Sequence, residues 1–555
     1  MSAFVSKLGG PKQIKNDILS GITVALLLVP EAIAFSFIAG VNPMVGLWSA
    51  VFVGLITATI GGRPGMICGA TGAIAIVAAK AFQVGKKSGL ETLNAGGDMG
   101  GVTPDDLGLQ YLVAALLFAG VIQLIVGLCK LGRFVRLIPH PVMMGFVNGL
   151  AILIALGQGL FFKSEVSFDD HGHMASTWLP SGDLITMVGL VALTMAIIVF
   201  LPKLTKAVPA SLVAILVVFG LGFFLDGSRD IRDILVMLSP TNDATIDSSL
   251  PGLTNLSNVP WTSPEFYQLI LPISLTIAMV GLIESLLTLQ LIDEITETRG
   301  QGNRECLAQG AANIFSGLFG GMGGCATIGQ SLINMKNGGR GRLSGITGAL
   351  TLFILIIFGS NIIMKIPVPA LVGVMFMIVI STFSWTTFKA IGKIGFSEIL
   401  IIAVVTAVTV LKHNLALAVL VGVLLSALIY AVKSSKHVHV SLLKDTPDER
   451  IYGVDGMLYF ASIPEFTDKF QARSDVKNII IDFENARVSD YSALEAINAL
   501  ESRYKKAGKS LKLRHLSADC RMALEKAGSL VDIEVLPDDP TYSVAKLKSS
   551  DSKIL

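Results

Sequence analysis

Two acidic residues stand alone inside long apolar runs. Glu284 occupies Met279-Val-Gly-Leu-Ile-Glu-Ser-Leu-Leu-Thr288, and Glu31 follows Pro30 in Val29-Pro-Glu-Ala-Ile-Ala-Phe35. A bare carboxylate is costly in such surroundings, so each must be protonated, ion-paired or turned toward a cavity. Thr288 lies one helical turn beyond Glu284, which puts its hydroxyl on the same face as the carboxylate. That pair could hold a Na⁺, or the carboxylate alone could carry a proton; the plainer alternative is an acid hydrogen-bonded between helices for packing. Proline before Glu31 removes one backbone hydrogen bond and predicts a break in the helix, leaving carbonyls for a cavity or an ion. The plainer alternative there is an acid beside an ordinary kink that reaches water.

Two glycine-rich segments supply a second kind of chemistry. Gly69-Ala-Thr-Gly-Ala73 and Gly324-Cys-Ala-Thr-Ile-Gly-Gln-Ser331 set small residues and hydroxyls at the predicted starts of two short helices. A helix N-terminus presents free N–H groups and about half a positive charge, which suits an anion. Two such ends meeting at the membrane midplane would bind an oxyanion without Lys or Arg, and Gln330 and Ser331 add only neutral donors. Close packing of helices through small residues is the competing explanation. Thr71, Thr327 and the amides would serve any anion that presents oxygen acceptors. Signatures of catalysis are missing: HExxH, P-loop and GxSxG patterns do not occur, and His140, before Pro141, reads as interfacial. Cys68, Cys129, Cys306, Cys325 and Cys520 lie far apart without a CxxC pair, so neither a metal cluster nor a disulfide framework is predicted. The soluble part is therefore expected to face a reducing compartment. An enzyme, a resident cofactor and a nucleic-acid partner are not expected.

The elements that must position these residues follow from composition. Of 555 residues, 52% are hydrophobic and 15% charged, with a formal net charge of +2; the mean hydropathy is +0.68. Soluble domains carry about 25% charged residues. A cytosolic enzyme, a disordered chain and a small disulfide scaffold are excluded, which leaves a polytopic protein in contact with membrane lipid. Residues 441–555 hold 36 of the 84 charged side chains, so a membrane body, 1–436, precedes a water-soluble domain, 437–555. Apolar stretches suited to a hydrocarbon core of about 30 Å predict spans near 17–38, 44–61, 109–130, 140–162, 182–201, 207–225, 266–292, 344–364, 367–384, 394–411 and 414–432. Shorter, glycine-broken segments near 68–83, 304–319 and 325–336 bring the number to fourteen. The first run is read as a span rather than a cleaved signal peptide. With both termini cytoplasmic, 18 Lys and Arg fall in connections assigned inside, among them Lys12, Arg133, Lys336 and Lys433. Only 8 fall outside, among them Lys80, Lys163 and Arg229, although the outside loops at 84–108 and 226–265 are the longest.

An internal repeat is also legible. Gly-Gly pairs at 61 and 320 are 259 positions apart, Ala-Thr pairs at 70 and 326 are 256 apart, and Glu31 and Glu284 are 253 apart. Three nearly equal offsets predict two homologous halves, about 15–225 and 266–432, of seven spans each and therefore inverted in the membrane. Paired, interrupted segments of this kind point to a transporter's midplane site. After Lys436, the runs Ile451–Phe460, Val476–Phe483, Leu511–Leu516 and Ile533–Leu536 predict strands. A helix over Tyr491–Lys506, capped by Asp490, completes a small sheet covered by helices.

With these motifs in hand, the chain resembles the SulP family of anion transporters. The resemblance is carried by Val29–Phe35, Gly46-Leu-Trp48 and Gly69–Gly72, and continues in order through Ile138–Phe146, Gln309–Asn313 and Gly338–Gly345. The tail, with Val476–Phe483 and Val488–Glu495, resembles a STAS domain. The resemblance implies fourteen spans in two inverted seven-span repeats, a core domain moving against a gate domain, and a cytoplasmic α/β STAS domain. It implies a homodimer in a bacterial cytoplasmic membrane, carrying sulfate first and bicarbonate second, coupled to H⁺ or Na⁺. Chloride or dicarboxylate exchange, an uncoupled channel, or a sensor signalling through STAS to a cytoplasmic partner are the alternatives. It places the coupling ion at Glu284 and Thr288, with Glu31 an added acid many relatives lack. The anion falls to the helix starts Ala70, Thr71, Gly72 and Ala73, and Ala326, Thr327, Ile328, Gly329 and Gln330. Some relatives have Arg where Gln330 stands. In the STAS domain the regulatory loop maps to Asp490 and Ser492, with Tyr491 where antagonists of anti-sigma factors carry the phosphorylated Ser.

Overall fold

The computed structural model describes residues 10–94, 101–133, 138–168, 174–205, 209–222, 224–225, 229–238, 250–363, 365–390, 392–412, 415–517, 520–522 and 535. Two compact units emerge, 1–423 and 424–555. The first is helical. In order it holds α1 (Gly10–Ala39), α2 (Pro43–Ile60), the two-residue strand β1 (Cys68–Gly69), α3 (Gly72–Asn94), α4 (Pro104–Leu128) and α5 (His140–Gly157). A hairpin, β2 (Lys163–Phe168) with β3 (Met174–Trp178), precedes α6 (Ser181–Leu204) and α7 (Ala210–Gly222). The second half runs α8 (Pro264–Thr296), α9 (Gly302–Leu318), β4 (Cys325–Ala326), α10 (Ile328–Lys336), α11 (Arg342–Ile363), α12 (Val368–Thr382), α13 (Phe396–Lys412) and α14 (Leu415–Ser435).

These helices occupy the fourteen segments read from hydropathy, and among the described residues nine are long and apolar enough to cross a membrane. The glycine-broken segments explain much of the shortfall: α10 has only nine residues, and it follows an extended stretch rather than a helix. Packing sorts the helices into two bundles. α1, α2, α3, α4, α8, α9 and α11 pack on one another, while α5, α6, α7, α12 and α13 form the other group. Glycines permit the closest approaches: a Cβ at Gly120 or Gly310 would collide with the facing helix, α9 or α4 respectively.

Three expectations are corrected. Pro30 does not break the first span, since α1 is continuous across it; residues 28–37 are buried throughout, and that packing holds the helix despite one missing donor. The hairpin β2–β3 and a short helix, Ile231–Leu238, occupy connections read as plain loops. The sheet of the second unit also begins earlier than the hydropathy indicates, with β5 (His439–Asp445), whose side chains are almost all exposed and so leave no apolar signal.

That second unit continues with β6 (Glu449–Leu458), a short helix α15 (Ile463–Thr467), β7 (Asn478–Val488), α16 (Tyr491–Lys506) and β8 (Ser510–Arg514). Sheet order is β5-β6-β7-β8, antiparallel at the first pair and parallel at the others. Ile479, Ile481 and Phe483 of β7 meet Leu494, Ile497, Leu500 and Tyr504 of α16 in one core. The predicted strand Ile533–Leu536 lies outside the described residues except for Val535, which bridges Leu513.

Candidate functional site

β1 and β4 come from opposite repeats and pair antiparallel, Cys68 against Ala326 and Gly69 against Cys325. The crossing is tight because Gly324 has no side chain; a Cβ there would overlap the Gly69 carbonyl oxygen. Cross-links hold the extended backbone, which in a membrane must be satisfied by protein. Thr327 N–H donates to the Ile67 carbonyl (2.9 Å), Ala326 N–H to Ser285 Oγ (3.1 Å), and Ile67 N–H to Ser331 Oγ (3.0 Å). Each strand leads directly into a helix, α3 at Gly72 and α10 at Ile328, whose first N–H groups have no partner within the helix.

Both helix starts line one cavity of about 150 Å³. It is room enough for a small oxyanion and several waters. Thr71 and Gly72 line it from one side, Thr327 to Gln330 from the other, with Glu31 and Phe35 of α1 and Glu284 of α8. The only charged residues among those lining it are Glu31 and Glu284, which are 6% and 8% exposed. Gln330 Nε2 donates to Glu31 Oε2. Cys325 Sγ donates to Glu284 Oε2 (3.0 Å) and lies 3.1 Å from Thr71 Oγ1, whose hydroxyl also reaches the Glu284 carboxylate.

The predicted site residues thus divide. Glu31, Thr71, Gly72, Glu284, Thr327, Ile328, Gly329 and Gln330 share the cavity, while Ala70, Ala73, Ala326 and Thr288 do not line it. Thr288 Oγ1 donates to the Glu284 carbonyl of its own helix (2.8 Å), and Thr327 Oγ1 donates to the Ile67 carbonyl (3.1 Å). His140 is exposed at the start of α5. Sequence reasoning missed Cys325, and it missed the opposite wall, where Phe146 and Leu150 of α5 and Ser381 and Thr382 of α12 face the helix starts. A second, wider cavity of about 820 Å³ shares Glu31, Ile333, Ile378 and Ser381 with the first. It extends along the N-terminal half of α1 past Ser20 and Thr23, reaching Lys336 and Asn337 at the end of α10.

In the sheet domain, Asp490 caps α16, accepting from Ala493 N–H (2.9 Å) and also from Phe460 N–H (2.8 Å). Ser492 is half-buried in the first turn of that helix. Asp475 accepts from Arg450 (2.5 Å), Tyr452 (2.8 Å) and Tyr504 (2.5 Å). Burial alone would raise its pKa, but these donors outweigh it and hold the carboxyl below the usual range. Asp482 is held low in the same way: burial opposes, while Arg514, the Glu484 N–H and His515 prevail.

Residues 14–406 match the sulfate permease family, and residues 442–542 match the STAS domain. The chain is 40% identical over 506 residues to YbaR of Bacillus subtilis (strain 168), to which sulfate transport is ascribed by name; the match covers 91% of this chain and 95% of that protein. It is 32% identical to the bicarbonate transporter BicA of Picosynechococcus, over 74% of this chain and 69% of BicA. The solved transmembrane domain of a cyanobacterial BicA covers 75% of the chain with 98% of its own length, at 27% identity and a TM-score of 0.58. Murine Slc26a9, solved in an inward-facing state, shares the fold at a TM-score of 0.72 and 17% identity, covering 92% of this chain and 87% of its own. These relatives are transporters rather than enzymes. The helical body and the α/β tail described above accord with these matches: this chain is a multi-pass membrane protein belonging to the sulfate permease family, with a C-terminal STAS domain.

Proposed function

We propose that the chain moves a small inorganic anion, sulfate first and bicarbonate second, by secondary active transport across a bacterial cytoplasmic membrane, coupled to H⁺ or Na⁺. The observation that carries this reading is the convergence of two helix N-termini on one cavity that also contains two acids and no fixed cation. The free N–H groups of Gly72 and of Ile328 to Gln330 hold the anion, within the segments Ala70–Ala73 and Ala326–Gln330. A dry, uncompensated anion would be strongly disfavoured at that depth. Glu284, with Thr288 on the same helix turn and Glu31 across the cavity, takes up the coupling ion and balances the charge. The wide cavity along α1 supports an inward-facing state, because its far end carries Lys336 on a connection assigned inside. In this reading 1–436 is the transporter and 437–555 a cytoplasmic STAS domain, both termini are cytoplasmic, the protein is a homodimer, and the loop with Asp490 and Ser492 meets a cytoplasmic partner.

Counterflow in proteoliposomes with labelled sulfate, bicarbonate, chloride, fumarate and succinate ranks the substrates. Sulfate is expected to exchange best, and preferential succinate exchange would displace the inorganic reading. Gradient-driven uptake by Glu284→Gln should fall about 10- to 100-fold; undiminished, gradient-dependent uptake would remove Glu284 from coupling.

A further inference from the structure

We infer that Cys325 makes the Glu284 site reject Na⁺. The inference rests on Glu284 being the coupling group and names which ion that group refuses. Its basis is the thiol's position between the two oxygens a small cation would bridge: Cys325 Sγ lies 3.0 Å from Glu284 Oε2 and 3.1 Å from Thr71 Oγ1. Alkali and alkaline-earth cations bind hard oxygen donors, whereas sulfur suits soft metals. A Na⁺ entering here would have to displace a fully buried thiol that donates to the carboxylate, and would gain a poor ligand in return. The Thr288 and Thr327 hydroxyls give their protons to backbone carbonyls, so neither donates to the carboxylate in the thiol's place. Thr288 Oγ1 donates to the Glu284 carbonyl, and Thr327 Oγ1 donates to the Ile67 carbonyl. The titratable groups facing Glu284 are Cys325 and, one strand position away, Cys68, with Glu31 across the cavity. The group that meets the Glu284 carboxylate from β4 is therefore a sulfur donor rather than the hard oxygen that Na⁺ prefers.

The test is anion uptake into proteoliposomes with Na⁺ replaced by choline, for the wild-type chain and for Cys325→Ser, which puts a hard oxygen where the sulfur stands. Wild-type uptake of labelled sulfate or bicarbonate should be indifferent to the replacement. The serine variant should become about fivefold or more faster in Na⁺, the lower end of ordinary coupling between two ligands. Wild-type uptake that requires Na⁺ overturns the inference, as does a transporting serine variant that ignores Na⁺. If no anion exchanges in any medium, the transporter reading itself fails, and thermal stabilisation of the purified protein by NaCl decides separately. Stabilisation of Cys325→Ser or Cys325→Gly but not of the wild type supports the inference; equal stabilisation of the wild type ends it.

Discussion

Asp475 and Asp482 in the sheet domain, and Glu31 and Glu284 in the helical body, are all buried carboxylates, yet their partners differ in kind. Each aspartate has an arginine within 2.7 Å, Arg450 and Arg514, supported by tyrosine hydroxyls or a histidine. The two glutamates of the cavity have a neutral amide and a neutral thiol. A fixed cation locks an acid into its charged form, which suits a group whose task is to hold a domain together. Neutral donors can serve a carboxyl in either charge state, which suits a group that must load and unload. Neutral partners alone do not mark a working acid, since buried Asp17 and Glu305 also accept from neutral donors; Glu31 and Glu284 differ from them in lining the cavity.

Four experiments would break or sharpen that contrast. The largest effect is expected for Glu284→Gln, with gradient-driven anion uptake falling about 10- to 100-fold, the range of a lost charge-assisted hydrogen bond. Retained uptake would put Glu284 among the structural acids. Tyr504→Phe, which removes one donor to Asp475, should cost the sheet domain about 1.5 kcal/mol, read by hydrogen exchange over β6, β7 and α16 in the full chain, while leaving uptake unchanged. Loss of uptake without loss of protection would erase the distinction. Glu31→Gln keeps an amide facing Gln330, so a smaller change of about two- to tenfold in apparent anion affinity is expected, that of a neutral hydrogen bond. Finally, because Asp475 and Asp482 are held below the usual range, their stabilisation is complete above the unfolded value of about 3.9 and is lost as pH falls through the folded one. Protection of the sheet domain should be flat from about pH 8 to 5 and fall below about pH 4; a decline beginning above pH 5 would mean that other groups dominate.

Much of this architecture is legible in the sequence because a bilayer imposes a strong local pattern. Span lengths, the isolated acids and the Asp490 cap are all read within windows of about twenty residues or fewer. The features that escaped depend on partners far away in the chain. β1 and β4 have two residues each and exist only through one another, so no local propensity announces them. Cys325 reads as one more small residue in a glycine-rich run until strand pairing turns its sulfur toward Glu284. Phe146 and Ser381 join the cavity from the second helical bundle, a placement that no periodicity encodes. Pro30 misled for the opposite reason: the local rule was sound, but complete burial of the surrounding helix overrode it.

The pairing of Cys68 with Ala326 also has a consequence for biogenesis. At ordinary synthesis rates of about 5–20 residues per second, β1 emerges roughly 10–50 s before the strand that completes it. Throughout that interval its backbone N–H and C=O groups lack their partners, at several kcal/mol each if exposed to hydrocarbon. The first repeat must therefore wait in a hydrated or chaperoned position at the insertion machinery, and a chain truncated before residue 326 should be a ready target for membrane proteolysis.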